Sequence, residues 1–168
     1  TDQADGGRLK IVNPDGSTHR IWLASYPQDV PADIDLNAYR SINHFFDECI
    51  GKFSGRTALC SIGSEMSYAE LGRRAEAFAA YLQSVGVAKG DRVAIMMPNL
   101  FQYPVCLFAI LKIGAIVVNV NPLYTPRELA HQLKDSGAGT IIVLENFAHT
   151  LEQALPGTAV RRIVLTGI

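Results

Sequence analysis

From Asp91 to its last residue the chain alternates short, continuous apolar runs with longer helical segments, and this alternation limits the fold more than any other feature of the sequence. The runs at residues 92–97, 115–120, 140–144 and 162–166 read as strands. Val93-Ala94-Ile95-Met96-Met97 and Ile141-Ile142-Val143-Leu144 show no polar alternation, so both faces of these strands should be covered, as in a parallel sheet. Helical patterns at 101–113, 126–136 and 147–154 supply the crossovers that parallel strands need. The expected fold is α/β: a layered, mostly parallel sheet flanked by helices. The 101–113 helix is apolar almost all round and is expected to be the most buried, with Pro104 near its start, where a missing N–H costs least.

Before the alternation starts, the pattern changes. Residues 1–20 form a polar extension, with a hairpin expected where 9–12 and 17–23 flank Asn13-Pro14-Asp15-Gly16. The stretch 26–39 carries two prolines and reads as irregular. Ile42, Phe45, Phe46, Cys49, Ile50 and Phe53 then fall on one face of a helix that Ser41 can cap. Residues 57–62 and 65–67 should pair as a small antiparallel hairpin around Gly63-Ser64, a pair suited to a type II′ turn.

Two helix starts follow one local grammar. In Met66-Ser67-Tyr68-Ala69-Glu70-Leu71, Ser67 is the N-cap, Glu70 closes a capping box, and Met66 staples to Leu71. The helix it opens buries Leu71, Ala75, Phe78, Ala79 and Leu82 and ends at Gly86. In Tyr124-Thr125-Pro126-Arg127-Glu128-Leu129, Thr125 caps, Pro126 takes the first helical position, and Tyr124 staples to Leu129. This second start follows a strand end, and ligands of open α/β sheets bind beyond the carboxyl ends of strands. Asn121, Tyr124 and Thr125 are therefore the pocket-adjacent candidates, with turn chemistry as the plainer reading of each. Asn99, after the preceding strand, is expected to cap the next helix with Gln102 at its third position.

Composition narrows the function. Fifteen basic against sixteen acidic residues, net charge −1, give no basic footprint for nucleic acid and no polybasic stretch for anionic lipid. Cys49, Cys60 and Cys106 lack metal spacing and are expected to be buried free thiols. His19, His44, His131 and His149 have no metal spacing either and read as helix-surface or loop residues. The first twenty residues are too polar for a secretory signal, and no apolar stretch approaches the ~20 residues of a membrane span. A cytoplasmic protein is expected. No phosphate loop of the G-x-x-x-x-G-K-[ST] type, no G-x-G-x-x-G and no G-x-S-x-G elbow occurs, so no catalytic, cofactor-binding or metal residue is assigned within the chain.

Taken together, three segments resemble the adenylate-forming, AMP-binding enzymes. Residues 66–71 resemble their first core motif, and the run from Leu111-Lys112-Ile113-Gly114 to Asn121-Pro122 resembles the second. Lys89-Gly90-Asp91-Arg92-Val93-Ala94 is similar to their entry into a core strand. Trp22-Leu23 with Tyr26-Pro27, Met96-Met97-Pro98-Asn99 with Gln102-Tyr103-Pro104, residues 119–129 and Asn146-Phe147-Ala148 narrow the likeness to bacterial long-chain fatty-acid–CoA ligases, over residues 21–168.

The resemblance implies the first part of the large N-terminal domain of such a ligase, with residues 1–20 outside it. It implies fatty acid, ATP, CoA and Mg²⁺ as substrates and cofactors of the full-length enzyme. It also implies a homodimer with peripheral contact at the inner membrane face. The family's phosphate loop, metal-binding Glu, ribose-binding Asp, Arg and mobile-domain Lys have no counterpart here, which leaves a scaffold role and an inactive fragment. The chain's stop just after a strand fits that expectation. Alternatives are an aryl- or acyl-adenylate-forming ligase of another substrate class, or a free-standing α/β module binding a nucleotide or protein.

Overall fold

The computed structural model describes residues 20–168, and its contacts divide the chain into two compact units, Thr1–Ala38 and Tyr39–Ile168. The hairpin expected within residues 9–23 lies largely outside the described residues. Its last few residues are no strand, because Ile21–Ser25 is a 3₁₀ turn. Residues 26–38 are irregular, as two prolines and many small polar residues predict. Arg20 Nη1 meets Asp33 Oδ1 at 2.8 Å, and Asp35 accepts from Asn37 N at 2.9 Å.

The second unit contains two sheets. Strands β1 (Thr57–Ser61) and β2 (Ser64–Ser67) form the antiparallel hairpin. Strands β3 (Arg92–Met96), β4 (Ile116–Val120), β5 (Thr140–Leu144) and β6 (Arg162–Thr166) form an all-parallel sheet in the order β4-β3-β5-β6. The helices are α1 (Ile42–Phe53), α2 (Tyr68–Ser84), α3 (Gln102–Lys112), α4 (Pro126–Ser136) and α5 (Ala148–Ala154).

Strand parity sorts the core into layers, because successive side chains leave opposite faces. Val93, Ile95, Ile142 and Leu144 point to one face, where Ala79 and Leu82 of α2 and Cys106, Ala109 and Ile110 of α3 cover them. Ala94, Met96, Ile141 and Val143 point to the other, under Leu129 and Leu133 of α4 and Leu151 and Ala154 of α5. A third cluster packs α1 and the hairpin onto α2 and α3 through Phe46, Met66, Leu71 and Ala75, with the Phe46 and Phe108 rings stacked 3.6 Å apart at 13°. Lys112 ties the same elements together: its Nζ lies 2.7 Å from Asp47 and 5.7 Å from the Phe46 ring centroid.

Three local expectations are corrected. The hairpin turns at Ile62-Gly63, with Ser61 opposite Ser64; φ of +49° and +74° at the two turn residues make it a type I′ turn, one residue earlier than Gly63-Ser64 and of the other primed type. A β-branched residue is strained at positive φ, and Ile62 has no compensating contact to bury, being 76% exposed. Helix α1 does not bury the whole face its pattern defines, since Phe46 is buried but Ile42 and Phe45 stay exposed. Helix α3 is the most covered helix, as expected, and the one α-helix with no exposed residue. Only Cys106, Ala109 and Ile110 are fully covered, and the other residues are half-buried, because sheet, α2 and α1 do not close round its whole circumference. Among the cysteines only Cys106 is buried; Cys49 is half-buried and Cys60 is exposed at an outward-facing position of β1.

Candidate functional site

Strand order fixes where an open sheet can hold a ligand. The chain leaves β3 for α3 on one face and leaves β5 for α5 on the other, so the segments after these adjacent strands part and leave a crevice at their carboxyl ends. Pro98, Asn99 and Leu100 flank it on one side, and Glu145 and Asn146 on the other. Asn99 does not cap α3, contrary to expectation. Leu100 N donates to Pro98 O at 2.8 Å, the turn runs two residues further, and the helix starts at Gln102 without a side-chain cap. The Gln102 side chain instead donates from Nε2 to Gly167 O at 2.7 Å, and the Glu145 carboxylate stands beside Gly167.

Next to this crevice a groove of about 530 Å³ runs between α2, α3 and the outer strand β6. Its walls are apolar, with Phe78, Phe101, Val105, Ile142 and Val164 prominent, and Gln102 and Thr166 stand among its few polar groups. Such a groove suits an apolar ligand or an apolar segment of protein. The groove does not supply a nucleophile. Burial pushes the Cys106 thiol up to about 12, so it stays protonated near neutral pH.

The three sequence candidates lie one strand away, beyond the sheet edge at β4. Asn121 Oδ1 accepts from Leu123 N at 3.0 Å, an Asx turn. Thr125 closes a complete capping box: its hydroxyl accepts from Glu128 N at 3.4 Å, while Glu128 Oε2 accepts from Thr125 N at 2.8 Å and from its hydroxyl at 2.7 Å. These bonds hold the Glu128 carboxyl below the usual carboxylate range. Tyr124 packs on Leu129 and its neighbours as a staple, and its exposed side lines a shallow polar groove with Arg127, Glu128 and His131. Asn121 and Thr125 thus have their side-chain oxygens engaged locally. Nearby, Asn119 holds β4 between two layers, with its Oδ1 accepting from Tyr103 Oη at 2.9 Å and its carbonyl from Gln132 Nε2 at 2.8 Å.

Gln102 and Glu145 are the crevice residues that sequence reasoning passed over. The signal for them was strand order, which no local pattern encodes. Among the described residues, no three His, Cys, Asp or Glu side chains come together as a cation site. No helix among them is long and apolar enough to cross a membrane.

The model of the AMP-binding enzyme family matches residues 46–167. The chain is 53% identical over 148 residues to the long-chain-fatty-acid–CoA ligase of Salmonella typhi, covering 88% of this chain and 26% of that protein. It is 37% identical over 128 residues to the Bacillus subtilis protein of the same name, covering 76% of this chain and 23% of that one. Among solved structures, a long-chain-fatty-acid–CoA ligase from Archaeoglobus fulgidus matches with a TM-score of 0.69 at 28% identity, over 75% of this chain and 27% of that one. A benzoate CoA ligase from Burkholderia xenovorans gives 0.69 at 25%, over 74% and 25%. The chain spans about a quarter of the length of the relatives it matches.

Proposed function

The chain belongs to the AMP-binding enzyme family, and from that premise we propose that it is part of a ligase that activates long-chain fatty acids to acyl-CoA with ATP. The observation that carries this reading is the 53% identity, sustained over 88% of the chain, to long-chain-fatty-acid–CoA ligases. In the reaction, a fatty carboxylate oxygen attacks the α-phosphate of ATP and pyrophosphate leaves. The CoA thiol then attacks the acyl carbon of the adenylate, AMP departs with the bonding pair, and the thiol proton passes to solvent. Residues 21–168 would be the first part of the enzyme's large domain, with residues 1–20 an extension before it.

On this reading the chain's own contribution is positioning. A rigid sheet with helices on both faces can hold reacting groups in place without touching them, and alignment of that kind is worth many kcal/mol in catalysis. Asn121, Tyr124 and Thr125 would stand near the rim of the ligand pocket, with the Tyr124 ring free for contact. The phosphates and Mg²⁺ would be held by other parts of the longer protein. The same reading places the enzyme in the cytoplasm as a homodimer, touching the inner membrane face to collect substrate.

The test is fatty-acid-dependent exchange of labelled pyrophosphate into ATP by the full-length gene product, followed by thioester formation on adding CoA. Exchange with palmitate that exceeds exchange with benzoate is the expected result. Exchange with benzoate alone would move the protein to the aryl-CoA ligases. No exchange with either acid would sink the ligase reading.

A further inference from the structure

One edge of the parallel sheet lacks the usual protection, and a single side chain stands over it. Strand β4 pairs with β3 alone, so among the described residues its other side carries no neighbouring strand. Ile116 N donates to Asp91 O at 2.8 Å, which turns the main-chain groups of Ile116, Val118 and Val120 toward β3. Those of Val117 and Asn119 therefore point outward. An unpaired row of this kind is a template for another strand.

The composition of the edge sharpens the hazard. No residue from 113 to 126 is charged, so the charged side chain that commonly blunts an edge strand is missing. Ile-Val-Val-Asn-Val is rich in β-branched residues, and Ile116 is 47% exposed. Such a segment invites pairing with its own copy. Only at its far end is the strand closed off, where Asn121 turns the chain and Pro122 offers no N–H.

Gln132 covers what the strand leaves open. It reaches from α4 past the sheet edge and donates from Nε2 to Asn119 O at 2.8 Å, occupying an outward-facing carbonyl. A helix side chain thus sits where the N–H of an added strand would bind. The other end of the same amide is a second, independent sign. Among the described residues, Gln132 Oε1 is shielded from solvent and has no hydrogen-bond partner. A buried acceptor without a partner costs stability, and a leucine or methionine at this position would avoid that cost. What the amide supplies instead is its donor, and that donor is spent on the edge strand.

We propose that Gln132 is an edge guard: by holding Asn119 O, it keeps β4 from pairing with the β4 of a second copy of the chain. Two such edges would meet about a two-fold axis as antiparallel neighbours and extend the sheet across the contact. The proposal does not depend on the ligase reading.

The test uses the full-length gene product at micromolar concentration. Sedimentation velocity reads its mass, and mass spectrometry reads its amide exchange. Gln132→Met keeps much of the side chain's shape and removes the donor. It should raise the weight-average mass at least about twofold above wild type. It should also slow exchange across residues 116–120, where new main-chain bonds would cover Val117 and Asn119. Adding Ile116→Lys to Gln132→Met should return both readings to those of wild type, because a charge on the edge opposes pairing. His131→Met, which puts the same side chain on the exposed neighbour, should change neither. Should Gln132→Met not fold, Gln132→Ala takes its place with the same expected readings. Mass and exchange equal to wild type in the Gln132 variant would overturn the proposal, as happens if another part of the longer protein already covers β4. Association that survives Ile116→Lys, or that leaves exchange at 116–120 unchanged, would overturn it too, because the contact would then lie elsewhere.

Discussion

Strands β5 and β6 lie side by side in register, have five residues each, and read almost alike: Thr-Ile-Ile-Val-Leu against Arg-Ile-Val-Leu-Thr. Every residue of β5 is buried. In β6 burial alternates, and Ile163 and Leu165 are 45% and 59% exposed. β5 has β3 and β6 as neighbours and helices on both faces, whereas β6 pairs with β5 alone among the described strands, and its Val164 faces the α2–α3 side. An apolar run therefore identifies a strand, while its place in the sheet decides how much of that apolarity is used.

The largest effects should follow that contrast. Ile142→Ala, at a residue 1% exposed, should cost about 2–5 kcal/mol in urea unfolding, as the removed side chain leaves a cavity. Leu165→Ala in the neighbouring strand should cost less than about 1 kcal/mol, because there is little burial to lose. Equal losses would mean that β6 is covered in the protein as β5 is, and the comparison would fail.

A similar contrast in local surroundings separates the two helix starts. Thr125 and Glu128 close a reciprocal box at α4. At α2, Ser67 accepts from Glu70 N at 3.2 Å, but the Glu70 carboxylate turns away to Arg73 and Arg74 and does not return to the cap. Thr125→Ala should therefore cost about 1–2 kcal/mol and Ser67→Ala nearer 0.5–1 kcal/mol, read as shifts in the urea midpoint. A reversed order would show that the ion pairs at α2 are worth more than the box at α4.

The hairpin offers a gain. Ile62→Asn places Asn-Gly in the type I′ turn and should stabilise by about 0.5 kcal/mol, visible as a small rise in melting temperature. A fall would mean that the exposed Ile62 side chain has a partner that outweighs its backbone strain. The smallest effect concerns pH. The Glu128 carboxyl titrates below its unfolded value, so its contribution to stability is fully present above that unfolded value, near pH 4.5, and fades as pH falls through the folded one. The stability difference between wild type and Glu128→Gln should accordingly be constant at neutral pH and shrink in acid. A difference that grew on acidification would contradict the sign of the shift.

Much of the fold was legible because much of it is local. Apolar runs marked all four parallel strands to within a residue, and Thr125-Pro126 with Glu128 marked the start of α4, since capping depends on residues three apart. The misses were cases with two local solutions or a non-local one. Gly63 can serve either of two adjacent primed turns, and cross-strand register chose Ile62-Gly63. Asn99 had the chemistry of a cap, but Gln102 found Gly167, sixty-five residues away. The apolar groove was invisible for the same reason, as it is lined by residues from segments that meet only once the sheet is assembled.

The sequence by itself determined the element types, the α4 cap, the parallel α/β class and, through its likeness to a family, the chemistry to look for, because periodicity and capping are written in neighbouring residues. Only the tertiary structure decided strand order, and with it the position of the crevice between β3 and β5 and the half-covered state of β6. Those features rest on pairings between distant segments, whose energy comes from burial and register that no short stretch of chain contains.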